Sequence, residues 1–492
     1  MAAAAAFRFT AIGAGVPAAV ASDEPFVMER AFAMMTTGDF NPHVFDYPSL
    51  YIYLQAAVAS VRFLVGTLRG EWYQLDQVSA SDFYVWGRLL TALLGTLTVV
   101  LTWRIGRRIG VATGLLAAAF LAVQPLHVRE SHFVLTDVPM TFFVALTLLA
   151  SVRAFESPSV RSFALAGAAA GLAAATKYTG GIVLLVPIVS LAIAPYDLAS
   201  RARTALVVAG AAVLAFLAGA PYSLLDLPGF LNGFGALARG HAAGVSPDTS
   251  PWWTYLLHLR LNLGLPLLAV SIAGLAAGVV QAVRSEPPAR VVWATAVVFT
   301  LVFYAEIADQ TLVWGRYLLP ILPALFILGA GTIELALDRW RDAPWRPALR
   351  WAAAAAALVL LFTPGTLRSW SLVATMAKTS SNELAFAWIV RELPPGARVA
   401  VEAEGMKLPV RFRAHNVQRL IDHPYEDYLE NGIEYLVASS LASRGAMAGG
   451  SSPDGRAYLE LFRSAQLIHA VTPTPENPGS EIRVYRVIRP TP

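Results

Sequence analysis

Apolar runs recur along this chain, and each is about as long as a helix that crosses a lipid bilayer. Such a crossing takes about 20 residues, because backbone polar groups in hydrocarbon must be satisfied within the segment. Runs near 83–103, 110–126, 135–152, 162–177, 179–195, 203–221, 254–282, 290–306, 317–336 and 350–368 meet that requirement. The start, MAAAAAFRFTAIGAGVPAAV, is apolar but short and interrupted by Arg8, so it reads as a first span lacking its usual beginning. No cleavable signal peptide is evident. Only 14% of residues are charged and 56% are hydrophobic, whereas soluble domains are about a quarter charged. The expectation is a polytopic α-helical membrane protein with about 11 transmembrane helices.

The loops set the orientation. RIGRRIG (104–110), SVRAFESPSVR (151–161), DLASRARTA (197–205), RSEPPAR (284–290) and DRWRDAPWRPALR (338–350) are short and rich in arginine. Positively charged short loops stay in the cytoplasm. The alternate loops, 21–82, 127–135, the turn at Lys177, 222–253 and 306–316, then face outward. The aromatic segment 47–70, with Arg62 and Arg69 at one end, reads as a helix lying in the interface of the first outer loop. Counting it as a span would invert every later loop.

The pattern changes after Pro364. NELAFAWIVREL looks like an amphipathic helix, ARVAVEAE, IEYLVASS, AQLIHAVTP and SEIRVYRVI like strands, and GRAYLELFRSA like a second helix. Two regions follow: a membrane module over 1–370, and a small extracytoplasmic α/β domain over 376–492. No repeat of 20–50 residues appears.

Several function classes drop out. The net charge of +4 is small and scattered, which fits membrane orientation rather than nucleic acid. The chain has no cysteine, so it offers no thiolate nucleophile, disulfide or cysteine-bound metal. GAGVPA (13–18) fits a dinucleotide fingerprint only formally, since it lies in an apolar segment with Pro17 inside and no strand before it.

The outward loops hold the notable charges. Asp23 and Glu24 directly follow an apolar segment, and Asp137 sits in LTDVPM at the start of a span. Both acidic points also fit solvated helix caps, since Asp before Pro in a first turn is a common helix start. Lys177, in ATKYTGG, is one of three lysines in the chain, with Lys378 and Lys407. Lys177 and Arg316 lie on the outer side, against the orientation bias. Each either meets an anion or snorkels toward headgroups. The stretch HVRESHFVLTDVP (127–139) adds His127, Arg129 and His132. Either histidine, with an acid, could ligate a divalent cation; solvation is the simpler reading of each.

Taken in order, DEP, TGDFNPHVFDYPSLYIYL, HVRESHFVLTDVPMTFF, AATKYTG and GRYLLPILP resemble the bacterial dolichyl-phosphate-mannose protein mannosyltransferase-like family. This is glycosyltransferase family 39 of the GT-C superfamily, related to the aminoarabinose transferase of lipid A. The resemblance covers roughly residues 8–335. It implies a GT-C-type fold and transfer of a sugar from a polyprenyl-phosphate carrier to a protein, lipid or glycan acceptor at the outer face of the bacterial inner membrane. It also implies Asp23, with Glu24 beside it, as the first-loop acid and Asp137 as the second-loop acid. Lys177 and Arg316 become the phosphate contacts, with Tyr178, Tyr317, Arg129, His127 and His132 around the substrate. These motifs fix no cofactor, and a divalent cation stays open.

Elementary chemistry agrees. Displacing a lipid phosphate from an anomeric carbon in one step needs a base for the incoming hydroxyl and cations for the leaving phosphate. A transporter is the main rival, but transporters place polar sites near the midplane, and here the charges collect at one face. A non-catalytic anchor displaying residues 376–492 gives the charges of separate loops no reason to converge. Glycan polymerase or ligase activity is a nearer alternative.

Overall fold

The computed structural model describes all residues except 19–20, 22, 243–249, 342–346, 403–405, 410, 444–451 and 489–492. The end of the strand expected over 397–404, and parts of the loops 222–253 and 338–350, lie outside the described residues. Contacts divide the chain into two compact units. The first comprises Met1–Thr10, Phe26–Gln77 and Trp86–Leu372; the second comprises Ala11–Pro25, Val78–Val85 and Val373–Pro492.

The first unit is helical. It takes in all or most of α1 (Ala2–Phe9), α2 (Glu24–Thr37), α3 (Leu50–Leu68), α4 (Tyr84–Gly106), α5 (Val111–Ala122), α6 (Pro125–Glu130), α7 (Asp137–Glu156) and α8 (Val160–Thr176). A 3₁₀ turn over Tyr178–Leu184 leads to α9 (Leu185–Ile193), α10 (Leu198–Gly219), α11 (Tyr222–Leu225), α12 (Leu227–Ala242), α13 (Pro251–Arg284) and α14 (Ala289–Ala308). A second 3₁₀ turn, Gly315–Ile321, opens α15 (Leu322–Arg341), and α16 (Pro347–Met376) follows. Among the described residues eight helices are long and apolar enough to cross a membrane, and Val111–Ala122, Val160–Thr176 and Tyr178–Ile193 are shorter apolar helices. This is a multi-pass membrane protein. α3, expected as an interfacial helix, is itself 19 residues long and meets the crossing criterion by length and composition.

Local chemistry explains the breaks. The run expected as one span over 254–282 is a 34-residue helix broken at Gly264, where φ is 75° and Pro266 follows. Glycine tolerates that left-handed backbone, and proline removes a helix hydrogen bond. α8 packs on α10 through Gly167 and Gly171, where any Cβ would run into the carbonyls of Val208 and Ala212. Small residues four apart let membrane helices approach this closely. The core gathers α5, α7, α13, α14 and α15, with Trp293, Phe299, Phe303, Phe120 and Phe326 buried in it.

The second unit holds a five-stranded sheet of order β2-β1-β3-β5-β4. Its strands are β1 (Arg398–Glu402), β2 (Arg413–Val417), β3 (Tyr435–Ser439), β4 (Ala465–Val471) and β5 (Ile482–Val487). β1 runs parallel to β2 and β3, whereas β5 runs antiparallel to β3 and β4. Alternation along β1 splits the core. Val399 and Val401 pack with Ala385 and Ile389 of α17 (Ser381–Glu392). Ala400 packs with α18 (Tyr425–Glu430) and α19 (Pro453–Ser464) through Tyr428 and Tyr458. α17 starts with a capping box between Ser380 and Glu383, which satisfies orphan N–H groups at the helix start.

Candidate functional site

Asp137 is the first residue of α7, and the preceding N-cap, Thr136, makes no side-chain cap. The Asp137 carboxylate is not spent on capping either. Lys177 Nζ donates to its Oδ1 at 2.7 Å, and Arg316 Nε lies 3.6 Å from its Oδ2. All three side chains are largely enclosed, with relative exposures of 3% for Asp137, 13% for Lys177 and 14% for Arg316. The helix dipole of α7 adds a favourable field for the carboxylate.

Three short segments bring these groups together. α8 ends at Thr176 and Lys177 is extended, with φ −155°. The chain then turns at once, Gly180 N–H bonding to the Lys177 carbonyl at 2.8 Å. A Cβ on Gly180 would collide with the Ala173 carbonyl, so the tight turn that aims Lys177 depends on glycine. Arg316 lies in the second 3₁₀ turn, where a Cβ at Gly315 would sit only 3.3 Å from His258 Nδ1. Lys177 Nζ is 4.2 Å from the centre of the Tyr317 ring, and the Arg316 guanidinium is 5.0 Å from that of Trp314. Aromatic faces stabilise cations most where water is excluded.

Arg129 and Glu130 extend the grouping. Arg129 Nε donates to Glu130 Oε1 at 2.8 Å; the Arg129 side chain is 53% exposed, that of Glu130 only 1%. Burial pushes the Glu130 carboxyl up from its ordinary range and Asp137 adds to this, while Arg129 and Arg316 pull it down.

His127 and His132 take framework positions. Arg8, fully buried in α1, donates to the carbonyls of Ala4, Ala122 and Leu121 and to His127 Nδ1, each at 3.0–3.1 Å. Arginine can only donate, so Nδ1 is the acceptor and the proton sits on Nε2. Burial, reinforced by Arg8, holds His127 well below its ordinary range and keeps it neutral. His132 places Nδ1 2.8 Å from the Val128 carbonyl and Nε2 2.9 Å from that of Thr10. Both rings therefore tie α6 to α1. Among the described residues no group of three or more His, Asp or Glu side chains is arranged to hold a metal ion.

Tyr178 donates to the Phe45 carbonyl at 3.0 Å, and the charge of Asp46 acts on both Tyr178 and Arg30. Asp23 and Glu24 belong to the second unit. Asp23 is half-buried in the turn before α2. Glu24 is fully buried and folds back, accepting from the Ala21 N–H at 2.8 Å.

Sequence reasoning singled out Asp137, Lys177, Arg316 and Tyr317, and these converge. It gave no role to Glu130, one of the charges of the stretch 127–139, or to Asp46, whose only signal was its place in the aromatic run 45–53.

The comparisons bear on this geometry. The model of the family "Dolichyl-phosphate-mannose-protein mannosyltransferase" matches residues 29–230, a stretch that includes Asp137 and Lys177 but starts after Asp23. The undecaprenyl phosphate-alpha-4-amino-4-deoxy-L-arabinose arabinosyl transferase 1 of Pseudomonas fluorescens is 27% identical over 289 residues, covering 56% of this chain and 50% of that protein. The dolichyl-phosphate-mannose–protein mannosyltransferase 1 of Saccharomyces cerevisiae is 31% identical over 189 residues, covering 36% of this chain and 23% of that protein. The chain thus spans half the length, or less, of these curated relatives. The structure of ArnT from Cupriavidus metallidurans bound to undecaprenyl phosphate superposes with a TM-score of 0.60 at 15% identity, covering 96% of this chain and 94% of that one.

Over residues 29–230 the chain is similar to the dolichyl-phosphate-mannose-protein mannosyltransferase family.

The fold likeness extends to the oligosaccharyltransferase of Archaeoglobus fulgidus, with a TM-score of 0.53 at 13% identity over 93% of this chain and 69% of that one. The GT-C-type architecture expected from the motifs is the one observed.

Proposed function

We propose that this chain is a membrane glycosyltransferase that moves a hexosyl or pentosyl unit from a polyprenyl-phosphate carrier to a protein, lipid or glycan acceptor. The reaction takes place at the outer face of a bacterial inner membrane. The observation that carries the reading is the enclosed Lys177–Asp137–Arg316 grouping, two cations on one carboxylate. Charge taken out of water is costly unless it is matched, and a lipid phosphate is the natural match at a membrane surface. The P. fluorescens relative is named for an undecaprenyl-phosphate-linked sugar, which is the same class of donor.

In the transfer, the acceptor oxygen bonds to the anomeric carbon while the bond from that carbon to the phosphate oxygen breaks. The electron pair leaves with the phosphate, where Lys177 and Arg316 stabilise the growing charge. The hydroxyl proton passes to a carboxylate, assigned on sequence to Asp23, and such a base contributes about 10²–10⁴-fold. Asp137 holds the two cations in place.

The test is transfer by purified protein from an undecaprenyl-phosphate donor carrying a labelled sugar, with whole-envelope extract as acceptor. The label should leave the carrier; label that stays on it, with well-folded protein, would sink the reading. Sidedness has its own check, in that a reporter active only outside the cytoplasm should be active when fused after Pro492.

A further inference from the structure

Glu130 has no part in the chemistry just described, yet it is a carboxylate almost fully enclosed beside the phosphate contacts. It pairs with Arg129, and α6, which carries both, packs on the start of α7 and on the 3₁₀ turn that carries Arg316, so its charge acts on Asp137 and Arg316 as well. The five groups Lys177, Arg316, Arg129, Asp137 and Glu130 comprise three cations and two carboxylates, one positive charge in excess. Without Glu130 the excess would be two.

That difference matters because the two lipids in the reaction differ in charge. The donor is a phosphodiester with a single negative charge. The product is a phosphomonoester, whose second ionisation lies near pH 6 and gives it about −1.5 to −2 at neutral pH. An excess of one balances the donor and leaves the product over-charged against a buried carboxylate. Electrostatic repulsion between enclosed groups is weakly screened, so even a single charge shifts affinity measurably.

We infer that Glu130 is a specificity-determining residue that sets the charge of the phosphate site, so that the singly charged phosphodiester is retained and the doubly charged monoester is released. This rests on the phosphate reading of Lys177 and Arg316. Glu130 touches neither lipid in this account. It acts through Arg129 and through the field at Asp137 and Arg316, and what it controls is the ratio of two affinities.

Glu130→Gln removes the charge, keeps the shape and leaves an oxygen to accept from Arg129. Binding of undecaprenyl monophosphate and of its methyl diester would be measured at pH 8 in nanodiscs, for wild type, Glu130→Gln and Glu130→Asp. The monoester should bind Glu130→Gln about tenfold more tightly than wild type, equivalent to about 1.4 kcal/mol. The diester should change by less than about threefold. Product inhibition of transfer should strengthen in parallel, and Glu130→Asp, which keeps the charge, should restore the wild-type ratio even if it melts earlier. Equal shifts for the two lipids, or a ratio unchanged in Glu130→Gln, would overturn this inference and leave the phosphate site standing. Failure of wild type to bind either lipid would overturn the phosphate site and this inference with it.

Discussion

Asp137 and Glu402 are both buried carboxylates, one in the helical unit and one in the sheet unit, and they are answered in opposite ways. Asp137 faces two cations. Glu402, at the end of β1, faces neutral donors: Oε1 accepts from Leu420 N–H at 2.9 Å and Tyr458 O–H at 2.6 Å, and Oε2 from Ser439 N–H at 2.7 Å. The Glu402 arrangement is closed, its contacts joining β1 to β3, to α19 and to the 3₁₀ turn at Leu420. The Asp137 arrangement carries surplus positive charge at the end of a span. A buried acid satisfied by neutral donors is architecture, whereas one outnumbered by cations marks a place where an anion belongs.

The sharpest way to break the contrast is to neutralise Asp137. Asp137→Asn leaves Lys177 and Arg316 facing each other, and removing one partner of a buried pair costs about 3–5 kcal/mol. Transfer should fall by about 10²-fold or more. Added undecaprenyl phosphate should recover part of the lost melting temperature, because a ligand that binds only the folded state stabilises it. Lipid that fails to raise the melting point of the variant would place Asp137 with Glu402, as architecture.

Asp23→Asn should show the complementary pattern. Its side chain is half-buried, and Asn keeps its size while removing its basicity, so folding should survive while transfer falls by about 10²-fold. Near wild-type turnover would remove Asp23 as base.

Glu402→Gln tests the other side. An amide cannot accept on both sides, so at least one of the three donors loses its partner, at about 1–3 kcal/mol. Lipid affinity should not change. The smallest effect is on pH dependence. Burial pushes the Glu402 carboxyl up despite its hydrogen bonds. The folded state therefore holds the proton more tightly than the unfolded chain. That contribution is fully present below the ordinary glutamate range and fades as pH rises through the raised value. Above the ordinary glutamate range, Glu402→Gln should flatten this part of the melting profile; an unchanged slope would show that Glu402 does not titrate there.

Much of the architecture was legible because bilayer length and alternation leave direct marks in sequence. The apolar runs became helices, and β1, β3, β4 and β5 lie within the stretches expected for them. β2 was not legible. RAHNV is polar and mostly exposed, and it joins the sheet only through parallel pairing with β1, which no local pattern encodes. In the site, Lys177 and Arg316 stood out as cations expected on the outer side, against the orientation bias, but their meeting on Asp137 is a tertiary fact. Arg8 read as a flaw in a first span, yet it ties α1 to the end of α5 through the Leu121 and Ala122 carbonyls and to α6 through His127. Its role depends on burial, which sequence does not print.

The central claim is that the surplus charge at Asp137 is there for a lipid phosphate. The direct measurement is the affinity of purified wild type, Lys177→Ala and Arg316→Ala for undecaprenyl phosphate in nanodiscs, with folding checked by melting. Each charge-assisted contact contributes about 1.5–3 kcal/mol, so each variant should bind at least about tenfold more weakly while remaining folded. Affinity equal to wild type in both folded variants would contradict the claim and return Lys177 and Arg316 to headgroup contacts.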